Sequence, residues 1–241
     1  MKALIFDVDG TLAETEELHR AGFNAAFAAA GLGWHWDVET YRRLLTTTGG
    51  KERIARYAAE TGAGAVPVAA LHAEKTRIFG ALMAAGGEQP GPSVSELRPG
   101  ILRLMTEARR TGILLAVATT TSAANVEALC RAVFDQPSAQ VFDVVAAGDQ
   151  VAEKKPAPDV YLLALRRLGL RAAEAVAFED SANGVRAARA AGLPVILSRG
   201  IYTLHEADAG ATLALDCFSQ LGGLEGVRRA LSVTPSDAGA R

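Results

Sequence analysis

Long apolar runs are what this chain most clearly lacks. No stretch approaches the roughly 20 consecutive apolar residues a membrane-crossing helix needs, which argues against a helical membrane protein. The N-terminus also lacks the basic, apolar and small-residue succession of a secretory signal, because Asp7 and Asp9 interrupt its apolar segment. A soluble, cytoplasmic protein is therefore expected. Cysteine is scarce as well: Cys130 and Cys217 stand alone, with no CxxC and no histidine at ligand spacing. That argues against a disulfide scaffold and suits a reducing compartment. The four histidines, His19, His35, His72 and His205, form no HExxH or related pattern, so a zinc enzyme is not indicated. An excess of either charge is missing too. With a net charge of -2 there is no basic footprint for nucleic acid, and neither nucleic acid nor a membrane is expected as a partner.

What is present is enough apolar material for a well-buried core, 49% of 241 residues. Lys2 to Val8 has the short, β-branched and aromatic character of a strand covered on both faces. Residues 16 to 86 then hold no convincing strand. HRAGFNAAFAAAGL, VETYRRLLTTTGG, KERIARYAAETG and AALHAEKTRIFGALMAAGG read as about four helices, each closed or followed by glycine. GGEQPGPSVSEL, residues 86 to 97, is rich in Gly, Pro and Ser and reads as a linker. From Pro99 onward helix and strand alternate, with strands at ILLAVAT (113–119), VFDVVAAG, AVAFED (175–180) and VILS. Such alternation indicates a parallel sheet with helices on both sides. The expected fold is α/β, a Rossmann-like parallel sheet core formed by residues 1–15 and 88–241. A helical cap, residues 16–87, is inserted after the first strand, and residues 232–241 form a flexible tail.

In an open parallel sheet, ligands bind beyond the carboxyl ends of the strands. There the sequence places Asp7 and Asp9, then Thr119 to Ser122, then Glu153 to Lys155, then Glu179 and Asp180. Taken singly, each segment has an ordinary reading. DVDG is half a calcium loop without its remaining ligands, TTTS and FEDS are helix caps, and EKKPAP is a solvated loop. Their common placement outweighs these readings, and the set suits phosphoryl transfer. A carboxylate can approach a phosphate ester only when a divalent cation and fixed donors neutralise the phosphate oxygens. Asp7, Asp180 and Glu179 offer hard oxygens for Mg2+. Lys155 adds a positive charge, Thr119 a hydroxyl, and the backbone around Val8 to Gly10 and at Thr120 an anion-binding turn. One carboxylate attacks while Asp9 carries protons.

These segments resemble the haloacid dehalogenase-type phosphohydrolase superfamily, whose four motifs match DVDGT (7–11), Thr119, the lysine of KKPAPD and EDSANG (179–184). The resemblance implies that Asp7 is the nucleophile, that Asp9 is acid and base, and that Thr119 and Lys155 hold the phosphoryl group. Lys154 is the alternative to Lys155. It further implies Mg2+ as cofactor, bound by Asp7, the Asp9 carbonyl oxygen, Asp180 and Glu179. The insertion is similar to the cap of the β-phosphoglucomutase and phosphoglycolate phosphatase branch. Within that branch the whole chain most resembles the CbbY proteins of the Calvin cycle, which implies dephosphorylation of xylulose-1,5-bisphosphate.

Residues 13–16 and 86–97 would be the two crossings on which a cap hinges to exclude water. Cap closure makes Glu17, His19, Arg42, Gly50, Lys51 and Lys75 candidates for substrate binding, with Ser122 and Thr120 on the core side. Arg43 is a further cap cation. The expected partner is a small sugar phosphate or bisphosphate, handled by a monomer. Three other readings stay open. A mutase returns the phosphoryl group to the sugar, a phosphoglycolate phosphatase takes a smaller substrate, and a phospho-accepting receiver module shares the acids and the lysine. The receiver would leave the cap unexplained.

Overall fold

A computed structural model describes residues 1–86 and 96–232. The sheet is assembled from β1 (Ala3–Phe6), β2 (Leu114–Ala118), β3 (Val144–Ala146), β4 (Ala175–Glu179), β5 (Val195–Ser198) and β6 (Leu213–Leu215). Its order is β3-β2-β1-β4-β5-β6 and every pairing is parallel. All four β1 residues are fully buried, with Leu4 and Phe6 facing one apolar layer and Ala3 and Ile5 the other. That is why the strand carries no alternation of apolar and polar residues. Phe6 pairs with Val117 on one side and Phe178 on the other. Asp7, the end of β2 and Glu179 therefore finish at one level.

Four helices follow β1: α1 (Glu16–Ala29), α2 (Val38–Leu45), α3 (Gly50–Thr61) and α4 (Val68–Ala84). Leu18, Gly22, Phe23, Ala26 and Phe27 recur at helical spacing and form the buried face of α1. A Cβ on Gly22 would stand 3.3 Å from the Lys75 carbonyl, so glycine permits the close approach of α1 to α4. Asp37 caps α2 by accepting from Thr40 N at 2.7 Å. The helices share a separate apolar cluster of Phe23, Phe27, Trp36, Tyr41, Leu44, Ile54 and Leu71. Burying one such aromatic side chain contributes about 1.5–3 kcal/mol. One outsider joins this cluster, Tyr202 from the segment after β5.

The remaining helices are α5 (Ile101–Arg110), α6 (Ala123–Phe134), α7 (Ser138–Val141), α8 (Asp159–Leu168), α9 (Ala182–Ala190) and α10 (Leu224–Ser232). Among the described residues, no helix is long and apolar enough to cross a membrane.

The differences from the sequence reading are local. VFDVVAAG is a strand only over its middle three residues, because Asp143 turns back to accept from Leu115 N at 2.8 Å. The first cap helix begins at Glu16, ahead of His19. Most of the linker reading (residues 87–95), the 88 boundary and the tail from 233 lie outside the described residues.

The two crossings meet at one side chain. Arg98 N donates to Leu12 O at 2.7 Å, and its guanidinium pairs with Glu14 at 3.2 Å. The same group donates to Gly10 O and to Ser198 O, the latter at 2.6 Å at the end of β5.

Candidate active site

Asp7 leaves β1 with its N–H bonded to Phe178 O at 3.0 Å, so the nucleophile candidate is fixed by the sheet itself. Lys155 Nζ lies 2.6 Å from Asp7 Oδ1 and 2.6 Å from Glu179 Oε1, and all three side chains are buried. Tyr161 donates to the same Glu179 oxygen at 2.5 Å. Burial disfavours the Lys155 charge, but the two carboxylates outweigh it and hold the ammonium above its ordinary range. Burial pushes Asp7 up to about 7; Lys155 opposes this, while Glu179 and Asp9 add to it. Asp180, likewise buried, is raised by burial and by Asp7 and Glu179. Lys154 turns away to donate to Gly148 O and to Val151 O, the latter at 3.0 Å. Its part is to brace the loop, which favours Lys155 for the charged role.

Carboxylate oxygens of Asp7, Glu179 and Asp180 lie within 4.8 Å of one another. Glu179 Oε2 is buried without a hydrogen-bond partner, an expensive arrangement unless something positive completes it. A Cβ on Gly184 would fall 1.9 Å from that oxygen, so α9 closes tightly over it. Gly10, at φ +79°, performs the same service for Asp180: a Cβ there would lie 2.4 Å from Oδ2. A hard-oxygen set with an orphaned carboxylate oxygen fits Mg2+.

Asp9 stands beside this group and faces the cap. Its Oδ1 accepts from Thr15 Oγ1 at 2.5 Å and lies 2.9 Å from His19 Nε2. His19 Nδ1 in turn is 2.5 Å from Lys75 Nζ, and its ring stacks on Phe79 at 4.1 Å. Lys75 donates to Nδ1, which leaves Nε2–H to donate to Asp9. Burial raises the Asp9 carboxyl, but His19 and Thr15 overcome it and hold the group at about 2. Burial pushes Lys75 down to about 7 against the pull of Asp9.

A cavity runs between these groups and the cap, with Asp7, Asp9, Lys155 and Asp180 on its floor and His19, Gly50 and Lys75 among the cap residues lining it. Thr120 also lines it, whereas Thr119 is fully buried behind, its Oγ1 accepting from Thr121 N at 3.2 Å.

Four expected substrate contacts are not brought to this cavity. Both Glu17 oxygens are occupied, Oε2 by Arg20 at 2.7 Å and Oε1 by the Tyr202 hydroxyl. Arg42 pairs with Glu39 at 2.5 Å and sits 5.7 Å over the Tyr202 ring. Lys51 is exposed, and Ser122 caps α6 by accepting from Asn125 N at 3.3 Å.

Two cap residues that the sequence reading did not single out take their place. Arg53 is buried, donates to the Tyr41 hydroxyl at 3.0 Å and lies 5.1 Å from that ring's centroid. His72 lines the cavity, and burial, with Lys75 and Lys51 nearby, pushes it down to about 4. Spacing was the available signal, since Arg53 and His72 each stand three residues from a chosen residue, Gly50 and Lys75, on one helix face. The cap touches the core at two further hydrogen bonds. Thr48 donates to Lys155 O, and Asn183 donates to Thr46 O at 3.3 Å.

Residues 1–192 match the family of haloacid dehalogenase-like hydrolases. Over 229 residues the chain is 59% identical to Protein CbbY of Cereibacter sphaeroides, covering 94% of this chain and 96% of that one. The structure of CbbY from Rhodobacter sphaeroides in complex with phosphate is similar at a TM-score of 0.87 and 57% identity, covering 95% and 99% of the two chains. An Asp-to-Asn mutant of that CbbY, in complex with xylulose-1,5-bisphosphate, matches at a TM-score of 0.86, 57% identity and 94% and 98% coverage. With its paired acids, lysine and acidic cluster at the strand ends, the chain belongs to the haloacid dehalogenase-like hydrolase family, in the CbbY branch, and is a phosphatase.

Proposed function

We propose that the chain is a Mg2+-dependent sugar-phosphate phosphatase that converts xylulose-1,5-bisphosphate to xylulose-5-phosphate through an aspartyl-phosphate on Asp7. One observation carries the reading: a single cavity joins the Asp7–Lys155–Asp180 floor to a roof with two buried cations, Arg53 and Lys75. A bisphosphate presents anionic charge at both ends. The complex of the related CbbY with xylulose-1,5-bisphosphate supports the choice of sugar.

Mg2+, held by Asp7, Asp180 and Glu179 together with the Asp9 carbonyl oxygen, would supply charge neutralisation at the phosphate oxygens. The chain's own groups do the rest. An Asp7 carboxylate oxygen attacks phosphorus, the bond to the sugar oxygen breaks, and Asp9 gives that oxygen its proton. Water then attacks the aspartyl-phosphate, Asp9 takes the water's proton, and Asp7 is freed. Thr15 and His19 favour ionised Asp9, the form needed in the second half. The proton Asp9 takes from water restores the acid form for the next first half, while His19, held by Lys75 at Nδ1, keeps Asp9 oriented. The cap contacts through Thr48 and Asn183 keep bulk water out between the halves.

Two measurements test this. The first is phosphate release, with and without Mg2+, from xylulose-1,5-bisphosphate, ribulose-1,5-bisphosphate, β-glucose-1-phosphate and phosphoglycolate. Preference for xylulose-1,5-bisphosphate is expected, and isomerisation of β-glucose-1-phosphate without release would make the protein a mutase. In the same assay Arg53→Ala is expected to lower kcat/KM for the bisphosphate by about 10²-fold, the loss of a buried charge-assisted contact, with a much smaller effect on monophosphates. Equal loss on both would remove Arg53 from the second-phosphate role. The other measurement is calorimetric. Because burial pushes metal-free Asp7 up to about 7 and raises Asp180 as well, Mg2+ competes with protons at lower pH. Binding at pH 6 is expected to release protons and to weaken as pH falls, and the release is expected to shrink as pH rises. Buffers of different ionisation enthalpy read this directly.

A further inference from the structure

The segment from Arg199 to Glu206, just after β5, belongs to none of the four motifs, yet it reaches both the acidic cluster and the cap. Thr203 is buried, and its Oγ1 accepts from Gly200 N at 2.9 Å. The same oxygen lies 3.0 Å from Asp180 Oδ2 and 2.8 Å from Asp180 O. A hydroxyl has one proton to give. With Gly200 N already donating to it, that proton has Asp180 O, Asp180 Oδ2 and, at 3.3 Å, Gly200 O within reach, and Oδ2 is the carboxylate oxygen among them. Among the described residues no other side chain donates to the Asp180 carboxylate, since Lys155 is engaged by Asp7 and Glu179. Gly200 also leaves room for the arrangement, because a Cβ there would stand 3.0 Å from Asp180 Oδ2.

The preceding residue faces the other way. Tyr202 is buried in the cap's aromatic cluster, its ring 5.6 Å from that of Tyr41 and nearly perpendicular to it, and its hydroxyl donates to Glu17. Adjacent residues thus grip a cap helix and a carboxylate of the acidic cluster. The turn between them is stiff: Thr203 N bonds to Gly200 O at 3.0 Å and Glu206 N to Thr203 O at 2.9 Å. Glu206 is itself tied to Ala182 N at 2.6 Å, at the start of α9.

We propose that Thr203 is a positioning residue that aims the Asp180 carboxylate at the metal, and that Tyr202 keeps it in register with the cap. This rests on the metal reading of the site given above. The order of coupling is set by the chain: a cap displaced from Tyr202 loosens the turn, and a loosened turn releases Asp180. Outer-shell partners of metal ligands typically change affinity by about 10- to 100-fold when removed.

The test counts bound Mn2+ by electron paramagnetic resonance, without substrate, in the full chain. Thr203→Val is expected to bind about tenfold more weakly, and Thr203→Ser, which restores the hydroxyl, within about threefold of the parent. Should Val fail to fold, as judged by its melting curve, Thr203→Ala provides the hydroxyl-free variant. Tyr202→Phe keeps the ring but loses the Glu17 bond; it is expected to weaken binding by about threefold, and to add nothing in the Thr203→Val background. Parent-like binding by Thr203→Val overturns the proposal. So does a Thr203→Ser variant as weak as Val, which would mean that the methyl packing matters and the hydroxyl does not. Additive effects of the two positions, or no effect of Tyr202→Phe, overturn the link to the cap. A parent chain that binds no Mn2+ and releases no phosphate would overturn the metal reading and this inference together, whereas a normal parent with unaffected variants overturns the inference alone.

Discussion

Asp7→Asn is expected to cut phosphate release by about 10⁴-fold or more while leaving the fold intact. The amide has the carboxylate's shape and keeps an oxygen for Lys155, but it is too poor a nucleophile to form the aspartyl-phosphate. Stability is expected to move the other way. Burial raises Asp7 to about 7 from an ordinary 3.8, so the folded protein holds a proton that the unfolded chain has lost between those values. A carboxylate of this kind costs the fold stability as pH climbs from about 4 toward 7. The substitution removes the cost, and the melting temperature of Asp7→Asn should exceed the parent's at pH 8 and approach it at pH 4. Substantial residual turnover would reject Asp7 as the nucleophile, and a lower melting temperature at pH 8 would mean that the Lys155 pair outweighs burial.

Lys155→Met carries the second large effect, on activity and stability alike. Its ammonium is shared by Asp7 and Glu179 at 2.6 Å each, and all three side chains are buried. Removing one partner from a buried ion pair typically costs about 3–5 kcal/mol, because the charge left behind has neither water nor a counter-ion. In a chain of 241 residues that corresponds to a melting temperature lower by roughly 10 °C. The deficit has a sign in pH. Lys155 is what opposes the burial that raises Asp7, so without it the damage grows as pH rises past about 4 and shrinks as Asp7 takes up its proton below it. Melting curves from pH 4.5 to 8 read this directly, and a deficit independent of pH would mean that lost packing, not lost charge, is responsible. Phosphate release is expected to fall by about 10³-fold or more even where the variant is folded, since Lys155 is the buried cation in contact with Asp7.

Much of this was legible before any coordinates. β1 announced itself because a strand buried on both faces must be apolar throughout, and Asp7 and Asp9 stood out because charges after such a strand require a reason. The same logic exposed Lys155, Glu179 and Asp180, each at the end of a strand or in the loop beyond one. β6, only three half-buried residues at the sheet edge, leaves too little pattern to read. The cap was harder for a different reason. Charges on a surface helix look alike in sequence, and only packing separates Lys75, buried against His19, from exposed Lys51. Arg53 was hidden by its neighbours, since a salt-bridge-rich stretch such as KERIARYAAE reads as a solvated face. Glu17 was misplaced because Tyr202, more than 180 residues away, takes its carboxylate. A tie between residues so far apart leaves no local trace.

The Arg98 junction has a mechanical meaning. One guanidinium fastens both strands of chain entering and leaving the cap to the rim of the sheet. The cap's attachment therefore works like a door on a single pin. Thr48 and Asn183 fasten the Thr46–Gly49 stretch to the core as the latch to that pin.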